Sequence, residues 1–424
     1  MAFALNTGTD TDLSLAPAAG GMAGAAFTRP IEPGGAVFGN PATLTQFPGA
    51  QFQIAAAFLV PKVDVTQSGA GGTTTSSSAA NDYVIPTTAV TYEAGNGWFF
   101  GGGIGVNAGI GADYRTDPIT VPSLTTNTSV TGIPLVDELI SFNANLALAK
   151  QVTSQTSIGA ALTIGFGLAQ LGTAGPSGSF AGIIPQFDGT TSSVHAVGIG
   201  GSLGITHQLT PSLLLSASAK IPPRYTFKNI LYQSAVPPIG WQNLTIAQPL
   251  QLSAGAAFDV SSNWLLEGDV LWKDWGNATS YEDVYKNQFV ALLGTQFKAG
   301  PWSLRFGYSY ASDILRNVPN DTLGGLRGLG SIPLGALSGP LGTEVLKLVQ
   351  MTLVPVVWKN TLTAGAGFDL TSHVSIDAFA AYALQASASR STSIGAALVP
   401  GAGPEDYGVK ASEWAIGAGF HFKY

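Results

Sequence analysis

The chain has no cysteine, few charges and no long apolar run. Without cysteine there is no disulfide scaffold, no thiolate zinc site and no thiol nucleophile. Charged residues fill 10% of its 424 positions, against about 25% in an average soluble domain. A large water-soluble globule needs more surface charge. Intrinsic disorder needs high charge and low hydrophobicity, and the apolar content here is 45%. A net charge of −7 leaves no basic footprint for nucleic acid. A spanning helix needs about 20 mostly apolar residues in a row. The uncharged stretch 151–187 is broken throughout by Gly, Ser, Thr, Gln and Pro. A closed β-barrel is the other structure that satisfies every backbone group in lipid.

What the chain does have is a period of two. In 413–424, Trp414, Ile416, Ala418, Phe420, Phe422 and Tyr424 share one face, opposite Glu413, Ala415, Gly417, Gly419, His421 and Lys423. Segments 302–310 and 250–260 alternate in the same way. A soluble β-sandwich shows this period too, but the aromatics separate the two. Trp98, Trp264, Trp272, Trp275, Trp302, Trp358, Trp414 and Tyr424 fall at strand ends, as in the two interfacial girdles of a lipid-facing barrel. Short turns at 95–97, 152–156, 209–212, 260–263, 299–301 and 371–373 alternate with long connections at 61–82, 111–137, 171–189, 227–247, 313–356 and 387–409. Short turns on one rim and long loops on the other is the outer-membrane layout.

The expectation is therefore an all-β chain, a 14-stranded antiparallel transmembrane β-barrel. Its strands fall near 51–60, 83–94, 98–110, 138–150, 156–170, 190–208, 212–226, 248–260, 264–276, 285–298, 302–312, 357–370, 374–386 and 410–424. Fourteen strands enclose a lumen too wide for side chains alone to fill. Residues 1–48 lie outside the alternation and carry five prolines. They are expected to form a hatch inside the lumen, with 49–424 as the barrel; the alternative is an unstructured periplasmic tail. Met1-Ala2-Phe3 lacks the basic and apolar stretches of a secretion leader. The expectation is a leader already removed, or an added Met1.

Several segments resemble one family. They are Ala2-Phe3-Ala4-Leu5-Asn6 at the start, Val37-Phe38-Gly39-Asn40-Pro41-Ala42, Trp98-Phe99-Phe100-Gly101 through Asn107, and Asn263-Trp264-Leu265-Leu266 with Trp272-Lys273-Asp274-Trp275. Lys286, Leu293-Gly294 and Ser303-Leu304-Arg305-Phe306-Gly307-Tyr308 add to them. Over nearly its whole length the chain resembles the FadL-type outer-membrane transporters of long-chain fatty acids and other hydrophobic compounds. The connection 313–356 is longer than the family pattern. The resemblance implies uptake of a hydrophobic small molecule by a monomer in the bacterial outer membrane, amid its lipid and lipopolysaccharide, with no cofactor. It makes Asn40, Pro41 and Ala42 a hatch motif.

It also implies a lateral exit at the third barrel strand, through Gly101, Gly103 and Gly105. Glycine in a strand marks a bulge, a bend or a close backbone approach. The competing reading is that these glycines make room for the hatch. Alternation puts Val106, Ala108 and Ile110 outward on this strand.

Ligand residues are sought in the long loops. Leu135 to Ile140 and Glu344 to Met351 have the spacing of short amphipathic helices. Leu135, Leu139, Leu346 and Val349 would then line a capture groove, or pack as a lid. Lys286 and Arg305 are candidates to meet a ligand carboxylate, or to be lumen charges answered by Glu267 or Asp269. Catalysis is not indicated. His195 and His421 are expected inside the lumen as space-filling residues, no orienting carboxylate accompanies His195 with Ser192 and Ser193, and no spacing suggests a metal. A diffusion porin is the alternative function, and adhesive loops a third.

Overall fold

A computed structural model describes residues 11–122, 132–173, 193–233, 240–317, 340–395, 401 and 403–424. The chain forms strands β1 (Ala50–Gly69), β2 (Gly72–Ser77), β3 (Tyr83–Gly95), β4 (Trp98–Asp113), β5 (Leu135–Gln151), β6 (Thr156–Thr173), β7 (Val194–Thr210) and β8 (Leu213–Ile221). There follow β9 (Arg224–Gln233), β10 (Gly240–Ala247), β11 (Gln251–Ser261), β12 (Trp264–Lys273), β13 (Gln288–Ala299) and β14 (Trp302–Ala311). The last three are β15 (Asn360–Asp369), β16 (Val374–Thr392) and β17 (Glu405–Lys423). Among the described residues, α-helices form at α1 (Pro17–Gly20) and α2 (Pro340–Thr352).

Fifteen strands share one sheet, and β17 returns to pair with β1, from Gln51–Lys423 to Ser68–Asp406. Setting aside β2, a flap on β1, fourteen antiparallel strands close the barrel. All fourteen expected strands are present. Strands β9 and β10 form a separate hairpin. Closure pairs the first strand with the last, so neither is left as a sheet edge in lipid.

The period of two sorts side chains as expected. On β14 Trp302, Leu304, Phe306, Tyr308 and Tyr310 are exposed on the outer surface, while Arg305 and Ser309 are buried. Trp98, Trp264, Trp302, Trp414 and Tyr424 also face outward. Trp275 and Trp358 do not: both are buried inside, in the long loops, and belong to no girdle. His195 is likewise corrected. It is exposed on the same face of β7 as Val197 and Ile199, whereas His421 turns inward and bonds Gln51 at 2.7 Å.

The segment Leu135–Ile140 is not a helix. It is the outer end of β5, paired residue by residue with β6 from Leu135–Thr173 to Ile140–Leu168. Apolar pairs at 135–136 and 139–140 suit a helical stripe, but a ladder partner on β6 decides for strand. The helix expected at Glu344–Met351 is present as α2.

Residues 11–48 run between the inward faces of the strands. Asn40 is fully buried and caps a short 3₁₀ helix, Pro41–Gln46; its Oδ1 accepts from the Ala42 amide at 3.1 Å. A five-residue π-helical turn, Gly35–Gly39, precedes it. Inward wall glycines are the imprint of this segment. A Cβ on Gly204 would overlap Asn40, and one on Gly159 would overlap Pro41. One on Gly294 would stand 2.7 Å from Met22. A second imprint belongs to β9. Gly165, Gly167 and Gly198 leave the space that Tyr225, Phe227 and the Arg224 backbone occupy.

Candidate functional site

Three layers follow one another along the lumen, and each is positioned by the fold. The lowest anchors the N-terminal segment to the wall by charge. Glu267 Oε1 on β12 accepts from the Thr28 and Arg29 amides, each at 2.9 Å. Two residues along the same face, Asp269 takes the Phe27 amide at 3.2 Å and the Thr28 hydroxyl at 2.8 Å. Arg29 pairs with Asp259 at 2.7 Å. Glu32, fully buried, accepts from the Ala18 and Ala19 amides at 3.0 Å and from Gln53 at 2.7 Å. Burial, reinforced by the nearby Asp377 carboxylate, pushes Glu32 up to about 7 despite these donors. Arg305 is buried here too. It pairs with Asp377 at 2.6 Å and donates to Gln296 at 2.7 Å.

The upper end of the segment is held by two lysines. Asp12 lies 2.7 Å from Lys273 and 4.0 Å from Lys220. Burial alone would raise the Asp12 carboxyl; the two ammonium groups outweigh it and hold it below the usual range. Thr11 donates its amide to Asn107 O at 3.0 Å and its hydroxyl to Val106 O at 3.0 Å.

Above lies an apolar cluster. Leu135, Leu139, Leu346 and Met351 are buried in it, and Val349 packs against it. Trp275 meets Tyr281 and Tyr285 edge-on, at centroid distances of 5.1 and 5.4 Å, and the two tyrosines stack at 5.6 Å. Helix α2 is fixed over this cluster: Gln350 donates to Val284 O at 2.7 Å, and Tyr285 donates to Val354 O at 3.1 Å. The sequence marked Leu135, Leu139, Leu346 and Val349 but missed the aromatic trio, because Trp275 read as a girdle residue. Lys286 stands apart, half-exposed, in an ion pair with Asp313 at 3.0 Å.

The third layer is a discontinuity in the wall. The β3–β4 ladder runs from Gly95–Trp98 to Thr87–Gly105 and stops. Beyond it, residues 83–86 of β3 pair with β1, and residues 106–113 of β4 pair with β5. Asn107 is an extra residue there: Val106 opposes Phe142 and Ala108 opposes Ser141. The bulge turns the strand. From Asn107 to Ala112 every residue is buried, including Ala108 and Ile110, which alternation alone had put outward.

Gly101, Gly103 and Gly105 lie below this break, paired regularly with Thr91, Ala89 and Thr87. Their inner face receives the N-terminal segment. Cβ atoms there would stand 2.6 Å from Leu44 at Gly101, 3.0 Å from Phe38 at Gly103 and 3.3 Å from Phe38 at Gly105. On the outer face of the same rungs lies an apolar groove of about 320 Å³, between Phe52, Val90, Ile104 and Leu146.

No curated protein matches the chain. Solved structures share the fold, among them these three. The toluene transporter TodX of P. putida aligns at TM-score 0.65 and 19% identity, covering 97% of this chain and 99% of that one. The Ralstonia pickettii toluene transporter TbuX gives 0.66 and 18%, over 98% and 99%. A Pseudomonas aeruginosa FadL homologue gives 0.67 and 13%, over 99% of both. Residues 2–321 match the family described as outer membrane protein transport protein (OMPP1/FadL/TodX). The chain belongs to that family: it is a multi-pass outer-membrane transport protein, not an enzyme.

Proposed function

We propose that the chain takes up hydrophobic small molecules: capture at the apolar loop cluster, passage past residues 1–48 acting as a hatch, and sideways exit between β3 and β4. It works as a single barrel among outer-membrane lipid and lipopolysaccharide. The observation that carries the reading is the ladder that ends at Thr87–Gly105 beside the Asn107 bulge. Bulges bend a strand and end pairing. A ligand released into the periplasm must hydrate its apolar surface, at ~25 cal/mol per Å². Leaving sideways into lipid avoids this. The apolar groove outside lies on the last paired rungs, just below the break.

Uncharged ligands, aromatic hydrocarbons among them, fit best. Fatty-acid carboxylates need a cationic partner, yet Lys220 and Lys273 face Asp12 and Arg305 faces Asp377. Solved structures of two proteins with this fold, TodX and TbuX, carry the name toluene transporter. Fatty acids are the second reading, resting on the accessible Lys286, whose ammonium a surface ion pair holds only weakly. Measured uptake of labelled toluene and oleate by cells making the chain separates them. Oleate uptake that falls on Lys286→Ala, with toluene ignored, reverses the assignment.

Deleting Asn107 tests the exit. It removes the extra residue while preserving every β4–β5 partner. A barrel so altered should bind ligand and fail to release it. Unchanged uptake would count against a sideways path. Large steady currents from the intact chain in planar bilayers would instead favour the porin.

A further inference from the structure

The turn Gly35–Gly39 presents one bulky side chain, Phe38, to the last rungs of the β3–β4 ladder. Its Cζ lies 3.0 Å from the Cβ position on Gly103 and 3.3 Å from that on Gly105. Thr87 Cγ2 stands 3.6 Å from the latter point, and Thr87–Gly105 is where pairing ends. The groove lined by Gly102, Gly103 and Ile104 lies on the opposite side of the same backbone. A single strand thickness therefore separates the Phe38 ring from the lipid-facing surface.

Its neighbours are buried more deeply, while Phe38 packs at the edge of two apolar clusters. Val37 and Leu44, which cover Gly101, are fully buried, and the Val37 carbonyl accepts from Asn145 Nδ2 at 2.8 Å. Phe38 is only partly buried, although it sits inside the barrel. A partly exposed side chain can change rotamer without the backbone moving. Inward glycines at 103 and 105 give the ring a flat surface to slide on.

We propose that Phe38 is the gate of the lateral exit, a side chain that closes its inner lip and sets the girth of molecule that passes. The inference rests on the sideways-exit reading. It assigns the selective step to one rotamer, so the hatch backbone stays docked during each passage. The anchoring carboxylates Glu267, Asp269 and Glu32 then act as fixed supports.

The test uses the full chain in cells, with labelled toluene and biphenyl as narrow and wide probes. Phe38→Ala and Phe38→Leu should raise biphenyl uptake severalfold relative to toluene. Phe38→Trp should lower biphenyl uptake most. Heat-modifiable gel migration checks assembly, and Phe38→Leu keeps an apolar side chain should Phe38→Ala assemble poorly. A biphenyl-to-toluene ratio that stays fixed across assembled variants overturns the gate. The Asn107 deletion separates the two levels. If it stops uptake while the ratio stays fixed, only the gate falls. If it leaves uptake intact, the sideways exit falls and takes the gate with it.

Discussion

Lys220 on β8 reaches across the lumen to Asn107 on β4, Nζ to Oδ1 at 2.8 Å. Asn107 is the bulge residue at the wall discontinuity. The same ammonium faces Asp12, which Lys273 also holds. One short chain of polar contacts thus joins the bulge, the opposite wall and the N-terminal segment.

Cutting it at different points should give different results. Lys220→Met removes the tie to Asn107 but leaves Asp12 its nearer partner. Faster amide exchange at 106–113 is expected, with little change in thermal stability. Lys273→Met strands the buried Asp12 charge, and losing one partner of a buried pair costs ~3–5 kcal/mol. The melting temperature in detergent should drop clearly for Lys273→Met alone. Equal melting temperatures would show that Asp12 does not depend on its 2.7 Å partner.

Adjacent glycines on β4 should answer alanine oppositely. At Gly102 a Cβ points outward, and its nearest neighbour, the Asn145 carbonyl, is 3.6 Å away. At Gly103 it would stand 2.5 Å from the Thr88 carbonyl, which is backbone and cannot step aside. Gly102→Ala should be nearly neutral, and Gly103→Ala should cost ~1–3 kcal/mol as overpacking. Unfolding midpoints in guanidinium check both. Equal midpoints would mean that the wall at Gly103 has slack.

Glu32 gives a pH test. Docked, its carboxyl sits at about 7, above the ordinary 4.5. The charged form is penalised by docking, so binding the segment takes up a proton between those values. Docking should be weakest above pH 7 and tighten as pH falls toward 4.5. In planar bilayers, open events of the intact chain should grow rarer from pH 8 to pH 5. Glu32→Gln should abolish the trend; a trend that survives it belongs to another group.

The wall was legible because lipid imposes a strict period. Trp302, Leu304 and Phe306 can only face out if Ser303 and Arg305 face in. Lumen contents obey no period. Gly101, Gly103 and Gly105 hinted at a close approach, yet nothing in their spacing names Leu44 or Phe38 as the partner. The bulge was hidden for a related reason. One inserted residue reverses every later side chain, so Ala108 and Ile110 read as outward until the Asn107 register was seen. Leu135 and Leu139 were found for the right burial and the wrong element. Trp275 and Trp358 shared the girdle's composition but lie in loops folded inward. The anchors Glu267, Glu32 and Asp12 depend on contacts between residues far apart in sequence, which no local pattern carries.

Photo-crosslinking at the outer wall tests the sideways path most directly. A benzophenone side chain replaces Ile104, beside the groove outside the break, or Leu362, exposed on β15 in another part of the wall. Cells making each barrel receive a labelled hydrocarbon and are irradiated during uptake. Ligand already dissolved in the membrane reaches both positions equally. The account predicts strong excess labelling at position 104, lost when Asn107 is deleted. Equal labelling at 104 and 362 in the actively transporting barrel would contradict it.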